Sequence, residues 1–285
     1  FSLQKKKNDR LLSMIRDVEL YLCSIFDFNL DLETLITKNS FAFLGEFKAY
    51  RIMLRVIRPK YVMIVVSYGR EPLIIAARSL NIPTVEVQHG VVTPEHLGYA
   101  VLPGTTKQSF PDYILLFGSY WKQTVQWSVE SQRLVEIGYP FFTRTKHNLS
   151  NAKKKKQVVF ISQGTIGPKL SLFAVELSQQ ESNDIKVVYK LHPGEWFRWR
   201  SEYPWLAEAA MYNKISVIEG HFPDLYSLLS ESQWQIGVYS TAIFEGIGIG
   251  SKAILVNLPG IEYMEPLITA GVAQVVSKPE EINWS

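Results

Sequence analysis

The chain has 285 residues, 47% of them hydrophobic and 20% charged, with a formal net charge of +3 and a pI near 8.7, the profile of a globular protein with core enough for two domains. Much of the basic excess sits in two runs, Lys5-Lys6-Lys7 and Lys153-Lys154-Lys155-Lys156, which argues against a nucleic-acid partner. The single cysteine, Cys23, excludes an intramolecular disulfide, and no stretch approaches the roughly 20 apolar residues of a membrane-spanning helix.

A cytoplasmic chain is therefore expected, at most peripheral to the inner face of a membrane. Its opening Phe1-Ser2-Leu3 lacks an initiator methionine, as in a fragment.

In chain order, apolar residues at Leu11, Leu12, Ile15, Val18, Leu22 and Ile25 predict an amphipathic helix over about 8–26, with Cys23 in its apolar pattern. A second helix follows over about 40–57, ended by Arg58-Pro59. Tyr61 to Val66 is a β-branched apolar run of the kind buried on both faces of a parallel sheet. Helix 71–80, strand 84–87, strand 113–117, helix 120–129 and strand 134–137 continue an α/β alternation, which implies right-handed crossovers and a Rossmann-like half. Phe141 to Lys156 has the polar composition of a linker, giving domains at 1–145 and 157–285 joined by 146–156. Beyond it the expected strands are 158–162, 186–191, 215–218, 235–238, 253–256 and 273–276, with helices at 169–179, 205–211, 225–229, 241–247 and 263–270. This is a second doubly wound α/β unit.

Ligands in open parallel sheets bind beyond the carboxyl ends of the strands, so the polar residues there are the candidates. Ser162-Gln163-Gly164-Thr165-Ile166-Gly167 is a small-residue turn opening a helix, suited either to a close phosphate or to a plain strand–helix connection. His192-Pro193-Gly194-Glu195 ends the next strand, where His192 can donate to a phosphate oxygen and Pro193 fixes the backbone. Ser240-Thr241 offers two hydroxyls at a helix start, as a phosphate cradle, a simple N-cap, or both. Glu245, one turn later among Gly246, Gly248 and Gly250, can accept from ribose hydroxyls.

In the first half, Gln88-His89-Gly90 follows a strand. A histidine with an ordinary pKa of about 6.5 suits removal of a proton from an alcohol. Glu71 and Glu95 are the alternative bases. Gln88 and Arg70 are candidates for the acceptor, Arg70 having the option of pairing with Glu71 instead. The long stretch 91–111 has the character of a binding loop or lid.

Taken together, Gln88-His89-Gly90, Ile137-Gly138-Tyr139-Pro140, His192-Pro193, Ser240-Thr241 and Glu245 resemble bacterial GT-B glycosyltransferases of surface-polysaccharide synthesis. These include the capsule-polysaccharide transferases, the sialyl- and polysialyltransferases, and the teichoic acid glycerophosphotransferases. The resemblance implies two Rossmann-like domains facing each other across a cleft. It also implies a nucleotide-sugar donor whose phosphate is held by His192, Ser240 and Thr241, a base at His89, and a glycan or lipid-linked glycan acceptor. The acidic pair followed by glycine that marks the sialyltransferases is absent, as is any Asp-x-Asp triplet, so a metal-independent reaction with no cofactor is expected. Lys190 and Lys169 are further candidates to meet leaving-group charge.

Two other readings stay open: a nucleotide-sugar epimerase of the same two-domain fold, and a non-catalytic scaffold in which Trp196, Trp199 and Trp205 meet a partner or a glycan rather than simply packing. The lysine runs suggest contact with an anionic membrane, with a merely solvated charge run as the alternative.

Overall fold

The computed structural model describes residues 2–26, 28–101, 106–180 and 184–285, and no side chains before Arg10. The Lys5–Lys7 run therefore lies outside the described side chains. The chain divides into two compact units, one drawn from 1–88, 105–115 and 128–135, the other from 89–104, 116–127 and 136–285.

In the first unit, α1 (Ser2–Phe26) and α2 (Leu32–Ile57) form a long helical pair. Asp31 caps α2 by accepting from the Thr34 N–H, and Arg58, in the left-handed region at φ 50° ahead of Pro59, ends it. Then come β1 (Val62–Ile64), α3 (Glu71–Arg78), β2 (Thr84–Val87), β3 (Tyr113–Leu116) and, after α4 (Ser119–Gln123), which falls in the second unit, β4 (Leu134–Glu136). The sheet order is β1-β2-β3-β4, so β1 is an edge strand. Leu54 of α2 packs against Ala76 and Ala77 of α3. Cys23 is half-buried rather than central to a core.

Next in the chain is α5 (Pro140–Asn148), where composition suggested a linker. Pro140 in its first turn is preset for a helix, and tertiary contacts supply what the polar sequence lacks. Tyr139 stacks on Phe117 with ring centroids 4.2 Å apart, and Phe142 lies against Gly248, where a Cβ would strike the ring.

The remaining elements are β5 (Lys155–Ile161), α6 (Gly167–Ser178), β6 (Lys186–Lys190), α7 (Trp199–Glu202), α8 (Pro204–Met211), β7 (Ser216–Ile218), α9 (Leu225–Glu231), β8 (Ser232–Gly237), α10 (Thr241–Gly248), β9 (Lys252–Val256), α11 (Glu265–Thr269) and β10 (Ala273–Val276). Their sheet is parallel, in the order β10-β9-β8-β5-β6-β7. β5 shows why. Val158 and Phe160 point into one cluster with Leu170, Phe173 and Leu206, while Val159 and Ile161 point into another with Leu229, Ile243 and Leu255. A strand buried on both faces needs helices on both, and each such aliphatic side chain is worth about 1.5–3 kcal/mol when removed from water.

Two of the four lysines of the 153–156 run, which leads into β5, are engaged within this unit. Lys154 Nζ donates to the carbonyls of Leu229 and Ser232 at 2.8 and 2.9 Å, its pKa lowered by burial, and Lys155 pairs with Glu231. The tryptophans pack as well: Trp199 is buried, Trp196 and Trp205 lie on the same cluster, and the Trp205 indole donates to Ser171 Oγ.

Candidate functional site

In the second unit the first strand, β5, is central. β6 and β7 lie on one side of it and β8, β9 and β10 on the other, so the chain reverses direction between β5 and β8. Helices leaving these two strands go to opposite faces, which opens a crevice at their carboxyl ends. The residues beyond β5, β6 and β8 are those flagged from sequence.

The turn after β5 is held from below. Ser162 is buried, and its Oγ donates to Glu195 Oε1 at 2.9 Å and lies 3.0 Å from the Tyr189 hydroxyl. Its hydroxyl thus faces the interior, while Thr165 is exposed. Thr165 Oγ1 and the Tyr239 hydroxyl, 2.6 Å apart, tie the β5 turn to the segment after β8.

Beyond β6, His192 is exposed and opens a 3-10 turn over Pro193–Glu195. Its Nδ1 accepts the Gly194 N–H at 3.1 Å. A neutral imidazole that accepts at Nδ1 carries its proton on Nε2, so the ring presents a donor to a ligand. Lys190 is committed elsewhere: Nζ donates to Gly220 O at 2.6 Å and Pro223 O at 3.3 Å, and burial lowers its pKa. Lys169 is exposed at the start of α6.

Beyond β8, Ser240 caps α10, its Oγ accepting from the Ala242 N–H at 3.2 Å. Thr241 Oγ1 accepts the Val91 N–H at 3.1 Å, and Gly90 is so close that a Cβ would stand 3.0 Å from that oxygen. The turn carrying His89 is thereby fastened to the start of α10. His89 is exposed, with its ring centroid 6.4 Å from that of Tyr99, and Glu95 is exposed nearby in sequence. In the 91–111 stretch Val92, Thr93, Tyr99 and Phe110 are buried while Leu97 is almost fully exposed, and 102–105 lie outside the described residues.

Glu245 is half-buried, and its Oε1 accepts from the Tyr139 and Tyr226 hydroxyls at 3.0 and 2.9 Å. Burial, and then the Glu245 charge, raise the pKa of both tyrosines. Of the residues expected near the acceptor, Glu71 belongs to the first unit and pairs with Lys107 at 3.3 Å, leaving Arg70 exposed rather than joined to it; Gln88 is buried at the end of that unit's second strand.

Two features escaped sequence reading. Arg198 is anchored through Nε to Gly194 O at 2.9 Å, and its Nη2 would stand 3.1 Å from a Cβ on Gly164, so a guanidinium overhangs the small-residue turn. Arginine four residues after Gly194 carries no motif. The other is a pocket of about 370 Å³ lined by Thr165, Ile166, Pro168, Lys169, Tyr239, Pro259, Gly260, Glu262 and Tyr263. Gly260, at φ 102°, allows the Tyr239 ring to lie against its Cα, where any Cβ would collide.

Comparison with known proteins bears on the fold. UDP-GlcNAc 2-epimerase of Methanocaldococcus jannaschii, in complex with UDP-GlcNAc and UDP, is similar with a TM-score of 0.55 and 13% identity, over 84% of this chain and 71% of that one. MurG of Acinetobacter baumannii gives 0.55 and 17%, over 86% and 66%, and the spinosyn rhamnosyltransferase SpnG gives 0.51 and 16%, over 86% and 66%. No family model and no curated protein matches the chain significantly. The architecture is that of the GT-B proteins: two α/β units, each built on a parallel sheet. No helix among the described residues is long and apolar enough to cross a membrane.

Proposed function

We propose that the protein is a glycosyltransferase that binds a nucleotide sugar at the β5/β8 crevice of its second unit and passes the sugar to a hydroxyl of a growing surface glycan or lipid-linked glycan. One observation carries this: at the reversal point of the sheet, the exposed Nε2–H of His192, the Arg198 guanidinium over Gly164, and the capped start of α10 at Ser240-Thr241 lie on loops tied to one another by hydrogen bonds. Together they suit a phosphate group, which seeks several N–H and hydroxyl donors and a cation. The adjoining pocket, with Tyr239, Tyr263 and Lys169 on its walls, suits the nucleobase, and Glu245 Oε2 suits the ribose.

In the reaction, the acceptor oxygen bonds to the anomeric carbon as that carbon's bond to phosphate oxygen breaks. The electron pair goes to the leaving phosphate, and the acceptor proton goes to a base, which we assign to His89. Glu71 and Glu95 are the alternatives. The fastening of His89's turn to Thr241 supports the assignment. No cofactor enters this scheme, and membrane contact would fall to the Lys5–Lys7 run and the exposed Lys153 and Lys156.

Epimerases stand among the similar structures at the same TM-score as MurG, so sugar inversion on the nucleotide is the second reading. Incubation with labelled nucleotide sugars separates the two: nucleotide released only in the presence of an acceptor supports transfer, and a changed sugar with no nucleotide released overturns it. Nucleoside diphosphates and cytidine monophosphate should be screened by thermal shift, since a ligand at 100 times its Kd stabilises by about 2.7 kcal/mol. His192→Ala should abolish the shift, and His89→Ala should keep it while removing turnover.

A further inference from the structure

Glu195 is fully buried beneath the His192 turn. A buried carboxylate is costly unless its oxygens are met, and here they are: Oε1 accepts from Ser162 Oγ at 2.9 Å and from the Tyr203 hydroxyl at 2.8 Å, and Oε2 accepts from the His192 backbone N–H at 2.7 Å. The surroundings are shaped to it. Gly167 has no space for a Cβ, which would run into Glu195 Oε1 and the Tyr203 hydroxyl.

These contacts act on His192 in a definite way. Glu195 grips the His192 N–H through its side chain and the His192 carbonyl through its own N–H at 2.9 Å, closing the 3-10 turn as a capping box. Within that closed turn the Gly194 N–H is aimed at Nδ1, which leaves the ring proton on Nε2. Through Ser162 the same carboxylate holds the end of β5. One buried side chain thus sets both the aim of His192 and its distance from the Gly164 turn.

We infer that Glu195 is a positioning residue of the sugar-donor site: it touches no substrate, and it fixes the tautomer and orientation of His192 that a phosphate requires. This rests on the reading of His192 as a phosphate donor.

The test combines two measurements. Long-range proton–nitrogen NMR of the imidazoles, with the His192 signal assigned by its loss in His192→Ala, reads the tautomer without ligand. Calorimetric titration with UDP, GDP and CMP reads affinity. Glu195→Met, which fills the volume and accepts nothing, should mix the His192 tautomers and weaken nucleotide binding about tenfold. Glu195→Gln, which keeps an oxygen for the His192 N–H, should restore most of both. If Glu195→Met does not fold, Glu195→Asp, with the same charge on a shorter arm, is read the same way. An unchanged His192 tautomer, or an unchanged nucleotide affinity, in Glu195→Met would overturn the proposal. Should the wild type bind none of the three nucleotides, the sugar-donor reading falls, and the tautomer measurement still decides whether Glu195 sets His192.

Discussion

The backbone N–H of Val91 donates to Thr241 Oγ1 at 3.1 Å, across 150 residues of sequence. The turn that carries His89 therefore takes its position from the first residue of α10. Thr241→Val removes the acceptor at nearly constant shape, and a stranded amide costs about 1–3 kcal/mol. Turnover of Thr241→Val should fall by about tenfold or more and be recovered in Thr241→Ser. Equal activity in wild type and Thr241→Val would separate His89 from the chemistry.

Gly260 and Tyr239 give a second prediction. Any Cβ at residue 260 meets the Tyr239 ring, and φ at 102° disfavours an L side chain in its own right. Gly260→Ala should lower stability by about 1–3 kcal/mol and close the pocket, so that both the melting temperature and the nucleotide-induced shift drop. A variant that melts lower yet binds nucleotide normally would remove that pocket from the site.

The ion pair of Arg200 with Glu219 makes a prediction about acid. The two guanidinium bonds from Arg200, at 2.8 and 3.0 Å, and the Trp199 indole N–H hold the Glu219 carboxyl down from 4.5 to about 2. A carboxyl depressed in the native state stabilises above its unfolded pKa, and that stabilisation is lost as pH falls through the folded value. The window is pH 4.5 down to about 2. Melting curves across it should be flatter for Glu219→Gln than for wild type; the pair is solvent-exposed, so the difference is modest. Parallel curves would show that the pair contributes nothing.

Tyr139 and Tyr226 share Glu245 Oε1. Their pKa values are raised, so the native state keeps its protons where the unfolded chain loses them, and stability falls as pH climbs above about 10. Ultraviolet titration should show the two phenols ionising only with unfolding, and Tyr226→Phe should delete one of these late transitions. Early ionisation of all tyrosines would contradict the clamp.

How legible was this in sequence? β5 and β6 were readable because a strand buried on both faces must be apolar throughout, and the polar residues after them had nowhere to be but the sheet's carboxyl edge. α5 is not legible in its polar composition because its stability comes from Phe142 on Gly248 and Tyr139 on Glu245, contacts made about a hundred residues away. Ser162 looked like a ligand hydroxyl, and only the fold reveals Glu195 beneath it. Arg198 and the Tyr239–Gly260 pocket were invisible for the same reason: their meaning lies in which loops the topology brings side by side.

The order β10-β9-β8-β5-β6-β7 divides labour within the second unit. Sheet cohesion resides in side chains such as Val158, Phe160 and Ile236, whereas the ligand recognition proposed above hangs on loops outside it. The division is not complete, because Met264 belongs to the core and Leu258 and Ile261 pack against it. On the proposed reading, substitutions at the exposed Pro259 and Glu262 should change which base is preferred while leaving those core contacts in place.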